Sequence, residues 1–128
     1  MQNAIVVGLG SIGKRHLRLL REIKPDINIS VLRSGKGGDV KEEEYADQIY
    51  YSINEVLKLN FDLAIISSPA SFHINHATEF MKSNINVLIE KPISHNTDDI
   101  HKLLDINNKS NAIGTVGYCL RYSPSAIE

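Results

Sequence analysis

Three glycines stand at the spacing Gly-x-Gly-x-x-Gly near the amino terminus, at Gly8, Gly10 and Gly13. They directly follow a short apolar run and directly precede a segment with a helical pattern. In that setting the glycines permit a tight turn, close backbone approach to a phosphate, and close packing of helix on strand. The helix start, at Ser11 and Ile12, offers backbone N–H groups and a positive dipole end to an anion. The pattern predicts a site for a dinucleotide pyrophosphate, the alternative being a glycine-rich turn that binds nothing.

The residue at the end of the second predicted strand bears on which dinucleotide would bind. Arg33 lies 20 residues beyond Gly13, where NAD-binding proteins usually carry an acidic residue that accepts hydrogen bonds from the ribose 2′-hydroxyl. A guanidinium instead fits a phosphate, and Ser34 and Lys36 could add donors. The sequence therefore favours NADP over NAD. The alternative is that Arg33 stacks on the adenine or points to solvent.

These residues would be positioned by alternating strands and helices. Apolar runs alternate with helical patterns along the whole chain, which predicts βαβ units and a doubly wound, mostly parallel sheet. We expect the strand order 3-2-1-4-5-6 of the NAD(P)-binding Rossmann fold. The strands are predicted near residues 3–8, 28–33, 48–51, 62–67, 86–90 and 112–118.

Four helices are predicted from apolar residues at helical spacing. The first follows the glycine motif and ends before Pro25, and a capping box from Ser52 to Glu55 begins a short second helix that reaches Leu59. An irregular, solvated segment is expected from Ser34 through Asp39 to the acidic run Glu42 to Glu44. The apolar residues expected to face the sheet are Ile12, Leu17, Leu20 and Ile23 in the first helix, Phe72, Ala77, Phe80 and Met81 in the third, and Ile100, Leu103, Leu104 and Ile106 in the fourth.

Composition and charge bound the class of protein. The chain has 128 residues, enough for one domain, with 42% hydrophobic and 23% charged residues and a formal net charge of −1. This balance gives no electrostatic case for nucleic acid or an anionic membrane. The single cysteine, Cys119, and the absence of a secretory signal pattern predict a cytoplasmic protein. No metal is expected, because His73 and His76 lack further ligands nearby.

Polar or special residues follow the predicted strands where ligands bind in open α/β sheets, at the carboxyl ends. These residues lie in three segments: Ser68 to His73, Glu90-Lys91-Pro92 and Gly117 to Pro124. The glycine motif from Gly8 to His16 is the fourth element of the combination. This combination resembles the N-terminal domain of the Gfo/Idh/MocA oxidoreductases, relatives of glucose-fructose oxidoreductase and inositol dehydrogenase. The resemblance covers essentially the whole chain, and Glu-Lys-Pro is its most specific element.

The resemblance implies NAD(P)-dependent hydride transfer to or from a sugar, polyol or sugar nucleotide. It places Lys91 beside the nicotinamide ribose and the substrate as the catalytic residue, the alternative being a surface lysine. It also implies that a cis peptide precedes Pro92. The backbone from Ser68 would line the cofactor, with His73 either bonding there or packing internally, and His76 at the surface. The residues expected to contact the cofactor are Gly8, Gly10, Ser11, Ile12, Gly13, Arg33, Ser34, Ser67, Ser68, Pro69, His73, Glu90, Lys91 and Pro92.

The resemblance further implies that substrate contacts come from Lys91, Tyr118 and Arg121, with Cys119 standing where the family frequently has asparagine. The family's catalytic Asp and His belong to a second α+β domain that these 128 residues do not contain. We therefore expect residues 1–128 to be the front part of a longer, homo-oligomeric enzyme, binding cofactor without turnover. Two alternatives share the glycine motif: a non-catalytic nucleotide sensor and a dehydrogenase of another class. Neither has a reason to carry Glu90-Lys91-Pro92.

Overall fold

The computed structural model describes residues 1–92 and 97–117. Six parallel strands form one sheet in the order β3-β2-β1-β4-β5-β6, which confirms the predicted class and strand order. Every predicted strand is present, and most are a residue or two shorter than predicted. The strands are β1 (Asn3–Val7), β2 (Asn28–Leu32), β3 (Gln48–Tyr50), β4 (Leu63–Ile66), β5 (Asn86–Glu90) and β6 (Gly114–Gly117).

Helices connect the strands as crossover elements. They are α1 (Ser11–Ile23), α2 (Ile53–Val56), α3 (His73–Lys82) and α4 (Asp98–Lys109), with 3₁₀ turns over Lys41–Tyr45 and Ala70–Phe72. Across residues 1–92 and 97–117, none of the helices has the length and apolar character needed to cross a membrane.

The central strands β2, β1 and β4 are buried on both faces, as is typical of a parallel sheet. Alternate residues of β1 point to opposite sides: Ala4 and Val6 join a cluster with Leu17 of α1, whereas Ile5 joins a cluster with Phe80 of α3. All five side chains are fully buried. Two apolar layers therefore fix α1 and α3 on opposite faces of the sheet, and both begin at its carboxyl edge.

Two residues predicted for the core of α1 are exposed. Ile12 has 36% of its surface exposed and Ile23 has 72%. With about 3.6 residues per turn, they lie roughly a quarter turn away from the buried line of Gly13, Leu17 and Leu20. The apolar face of α1 is therefore narrower than predicted, and Ile12 stands in solvent beside the glycine turn.

Four further predictions are corrected by local geometry. Phe72 precedes α3 in a 3₁₀ turn and is 51% exposed, and Leu104 is 53% exposed because it lies about 100° from the buried Leu103. The capping box does not form: Ser52 precedes α2 without a side-chain hydrogen bond. α2 ends at Val56 instead of Leu59, since one turn suffices to seat Val56 in the core.

Candidate dinucleotide site

The glycine turn lies where the strand order reverses, between the carboxyl ends of β1 and β4. The N–H of Gly8 donates to the Leu32 carbonyl oxygen at 2.9 Å. Gly8 has φ of +90°, and a Cβ there would stand 2.7 Å from Ser68 Cα. Only glycine fits both the conformation and the space. The turn is therefore clamped between two strands at the edge where ligands of such sheets bind.

Ser67 and Gly13 support the turn from below. The Ser67 hydroxyl lies 2.9 Å from the Val7 carbonyl oxygen and 3.0 Å from that of Gly8, and it donates to this pair. A Cβ on Gly13 would stand 2.1 Å from the Gly8 carbonyl oxygen. The Ser67 hydroxyl thus supports the loop backbone, and the residue is 6% exposed. Its contact with the cofactor stays a prediction.

Gly10 differs from the other two glycines of the motif. A Cβ built there has no protein atom within 4 Å. Gly10 is the N-cap of α1, and its carbonyl accepts from the Lys14 N–H at 3.0 Å. The N–H groups that follow, from Ser11 on, belong to the first helical turn and have no acceptor within the helix. Open space and backbone donors thus lie side by side, an arrangement that fits a pyrophosphate.

The contact at Gly13 predicts a large stability effect. Gly13→Ala should lower the free energy of unfolding by about 2 to 3 kcal/mol, because the methyl group has to displace backbone. Gly38→Ala is the matched control: its Cβ meets nothing within 4 Å, and the change should stay within about 0.5 kcal/mol. Urea denaturation followed by circular dichroism measures both. Equal stability of the two variants would contradict the packing described for Gly13.

His73 joins two of the predicted cofactor loops. Its Nε2 lies 2.6 Å from the Ser68 carbonyl oxygen and its Nδ1 lies 2.7 Å from the Pro92 carbonyl oxygen, with 2% of the residue exposed. Both ring nitrogens therefore face protein acceptors. Of the two roles left open for His73, the structure shows internal packing. The ring supports the backbone on both sides, and a contact of His73 with the cofactor stays a prediction.

His76, expected at the surface, is partly buried. Its Nδ1 lies 2.8 Å from the Ser68 hydroxyl, and Phe72 stacks on its ring with the centroids 5.8 Å apart. Burial, and then the nearby His73, lower the pKa of His76 below its usual value. The neutral form is thereby favoured near pH 7, and in either tautomer it can pair with a hydroxyl. His76 holds the Ser68 side chain, an interaction that no sequence pattern indicated.

Glu90 is paired across the sheet end with His16 of α1, which sequence reasoning did not single out. Their Nε2 and Oε1 atoms lie 2.5 Å apart, with 20% and 13% of the two side chains exposed. The Glu90 carboxylate therefore links the end of β5 to α1, and the contact of Glu90 with the cofactor stays a prediction. Lys91 follows directly, exposed at the same edge of the sheet as Gly8. The Lys91-Pro92 peptide is cis, as the resemblance implied.

Arg33 is engaged within the protein. Its Nη1 donates to Glu43 Oε1 at 2.6 Å and its Nη2 to the Gly38 carbonyl oxygen at 2.8 Å. Only 9% of its side chain is exposed. As predicted, the segment from Ser34 to Asp39 is exposed and irregular. A 3₁₀ turn over Lys41–Tyr45 follows it and brings Glu43 to Arg33. Ser34 stays exposed, and its hydroxyl accepts the Lys36 N–H at 3.3 Å.

The substrate contacts expected from Tyr118 and Arg121, and Cys119 between them, lie outside the described residues. Within residues 1–92 and 97–117, no group of three His, Cys, Asp or Glu side chains could hold a metal ion.

A glycine turn at the switch point of a doubly wound parallel sheet defines a dinucleotide-binding Rossmann domain. The chain belongs to the Gfo/Idh/MocA family: the model of this oxidoreductase family, NAD-binding Rossmann fold, matches residues 2–118. The family assignment drawn from the motifs is therefore confirmed.

Two curated relatives are inositol dehydrogenases by name. The chain is 28% identical over 120 residues to myo-inositol 2-dehydrogenase of Thermotoga maritima, covering 91% of this chain and 36% of the relative. It is 25% identical over 126 residues to inositol 2-dehydrogenase of Rubrobacter xylanophilus, covering 95% and 36%. The chain thus spans about a third of the length of these relatives.

Solved structures share the fold. The WlbA dehydrogenase of Bordetella pertussis, in complex with NADH and UDP-GlcNAcA, superposes with a TM-score of 0.87 at 17% identity, covering 98% of this chain and 39% of that one. Myo-inositol 2-dehydrogenase of Lactobacillus plantarum gives a TM-score of 0.83 at 22% identity, covering 97% and 38%. At these identities the likeness is one of fold.

Proposed function

We propose that the chain is the cofactor-binding domain of an NAD(P)-dependent dehydrogenase acting on a hydroxyl or carbonyl group of a sugar, polyol or sugar nucleotide. The observation that carries the proposal is the space at Gly10 beside the start of α1, on the sheet edge that also presents Lys91. A bound nicotinamide dinucleotide supplies or accepts the hydride. The protein's part is to hold the pyrophosphate and to present polar groups to the reacting end.

The pyrophosphate would be held by backbone. The N–H groups of Ser11 and Ile12 stand at the positive end of the α1 dipole, and Gly10 leaves room for the phosphate oxygens to reach them. The exposed Ile12 side chain would cover one side of the cofactor with apolar surface. Ser67 and Gly13 keep this turn rigid, so little ordering has to occur on binding.

Lys91 would serve the reacting end. An ammonium at this position can donate a hydrogen bond to the reacting oxygen of the substrate and stabilise negative charge that develops there. Two contacts hold its neighbours: Glu90 is paired with His16, and the Pro92 carbonyl oxygen lies 2.7 Å from His73 Nδ1. We propose that these contacts fix the backbone from which Lys91 projects.

The substrate class rests on the relatives. Both curated relatives are inositol dehydrogenases, and one solved neighbour carries UDP-GlcNAcA. Because the chain spans 36% of the curated relatives, we propose that a second domain of the complete protein supplies the catalytic Asp and His and most of the substrate pocket. Tyr118 and Arg121 would border that pocket, and the complete protein would be a homo-oligomer. No observation favours the nucleotide-sensor alternative.

Saturable binding of NADH to the isolated chain tests the proposal. Nicotinamide fluorescence should change on titration and reach a plateau, with NADPH measured in parallel. If neither dinucleotide binds, the proposed function is wrong.

The preference for NADP, inferred from Arg33, stays a proposal. Arg33→Ala should weaken NADPH binding by about ten- to a hundredfold while changing NADH binding by less than threefold, because a charge-assisted contact contributes about 1.5 to 3 kcal/mol. The same titration at constant ionic strength measures both affinities. Equal weakening of NADH and NADPH would show that Arg33 supports the loop and does not read the 2′-phosphate.

A further inference from the structure

The ion pair between Arg33 and Glu43 stands at the end of β2, where dinucleotide-binding sheets meet the adenosine ribose. We propose that Glu43 is a determinant of cofactor specificity. Its carboxylate accepts a hydrogen bond from the Arg33 guanidinium that a 2′-phosphate would need, so NADPH binds only by displacing Glu43 from Arg33. The inference rests on the proposed dinucleotide binding. It assigns the discrimination to a residue outside the glycine motif and outside β2.

Both terminal nitrogens of Arg33 already have hydrogen-bond acceptors within the protein. One terminal nitrogen donates to Glu43 at 2.6 Å and the other to the Gly38 carbonyl oxygen at 2.8 Å. The loop lies close over the guanidinium, since a Cβ on Gly37 would stand 2.7 Å from Arg33 Nη2. With 9% of the Arg33 side chain and 27% of the Glu43 side chain exposed, water screens this pair less than it screens a surface pair. A phosphate would have to open this arrangement before it reached both donors.

The charge around the pair points the same way. Apart from Glu43 itself, residues 34 to 47 carry two lysines and four acidic residues, a formal charge of −2. A 2′-phosphate brings roughly two further negative charges. A ribose 2′-hydroxyl brings none, and it can bind beside the intact ion pair. Because it competes for Arg33, Glu43 therefore reduces the preference for NADPH that Arg33 would otherwise give, whereas NADH affinity is not reduced.

Glu43→Gln is the sharpest test, because the amide keeps the size of the side chain and removes its charge. We expect NADPH to bind about tenfold more tightly than in the wild type, with NADH affinity changed by less than twofold. Glu44→Gln is the matched control: it removes the same charge from the next residue, which is exposed, and should shift the NADPH to NADH ratio by less than twofold. In an Arg33→Ala background, Glu43→Gln should give NADPH no more than a twofold gain.

The outcomes separate the two proposals. If the wild type binds neither dinucleotide, the proposed function fails. If NADH binds but Glu43→Gln leaves the NADPH to NADH ratio within twofold of the wild type, Glu43 has no part in specificity and this inference is overturned. If Glu43→Gln raised NADPH affinity equally in the Arg33→Ala background, the inference would be overturned as well. The gain would then come from the loss of a negative charge and not from competition for Arg33. Glu43→Ser serves as a second variant, with the same expected direction, should the glutamine variant fail to fold.

Discussion

Gly10→Val is expected to weaken dinucleotide binding by about a hundredfold or more, while the variant folds as the wild type does. The space around a Cβ at Gly10 is free of protein atoms within 4 Å, and the backbone there is extended, with φ of −73° and ψ of −169°, which a β-branched residue accepts. The new methyl groups would instead fill the place of the phosphates. Losing the approach to the helix start should then cost about 2.7 kcal/mol of binding, equivalent to two decades of affinity.

Titration of NADH against the variant, with circular dichroism and urea denaturation as the folding check, measures this effect. Gly10→Ala should give a smaller loss, because one methyl group fills less of the space. Lys24→Val, on an exposed residue past the far end of α1, should bind NADH within twofold of the wild type. Wild-type affinity in Gly10→Val would place the pyrophosphate elsewhere.

Lys91→Met in the complete enzyme is expected to lower kcat by about a thousandfold, as seen when a donor to a developing oxyanion is removed. The methionine keeps much of the side-chain length and removes the charge and the hydrogen bonds. The cofactor Kd should change by less than threefold, because an interaction made mainly in the transition state affects turnover and not ground-state binding. The isolated chain should show no turnover with either residue.

Steady-state kinetics with a polyol or sugar substrate, together with NADH titration, separate the two effects. Lys91→Arg should restore part of kcat, since it retains a charged donor with a different shape. Lys58→Met removes an exposed lysine that follows α2 and should leave kcat unchanged. Normal kcat in Lys91→Met would remove the chemical role assigned to Lys91.

The elements set by local pattern were predictable. The glycine spacing, the apolar runs and the alternation of strand with helix each act within a few residues, and they were enough to predict the six-stranded parallel sheet and the place of the glycine turn. Gly8 and Gly13 have no room for a Cβ, as the spacing of the glycine motif predicts. The same holds for Leu17 and Leu20, whose spacing matches the helical period.

The side-chain pairs were not predictable in the same way. His16 and Glu90 are 74 residues apart and meet only because α1 reaches the end of β5. Arg33 meets Glu43 because the intervening loop folds back, and the acidic run alone gives no sign of which glutamate turns inward. Such pairs depend on tertiary geometry. From charge and spacing along the chain alone, each of these side chains is therefore predicted to contact solvent or a ligand. At Ser67, His73 and Glu90, residue type and position indicated a cofactor contact but not the protein partner that each side chain has in the structure.

Amide chemical shifts of the isotope-labelled chain during titration with NADH test most directly whether the glycine turn is the binding site. Saturable shifts are expected at Gly10, Ser11 and Ile12, with smaller shifts at Ser68. The opposite edge of the sheet carries a hollow lined by residues that include Met1, Ile23 and Asn28. Shifts confined to that hollow, or no saturable shifts anywhere, would contradict dinucleotide binding at the carboxyl edge.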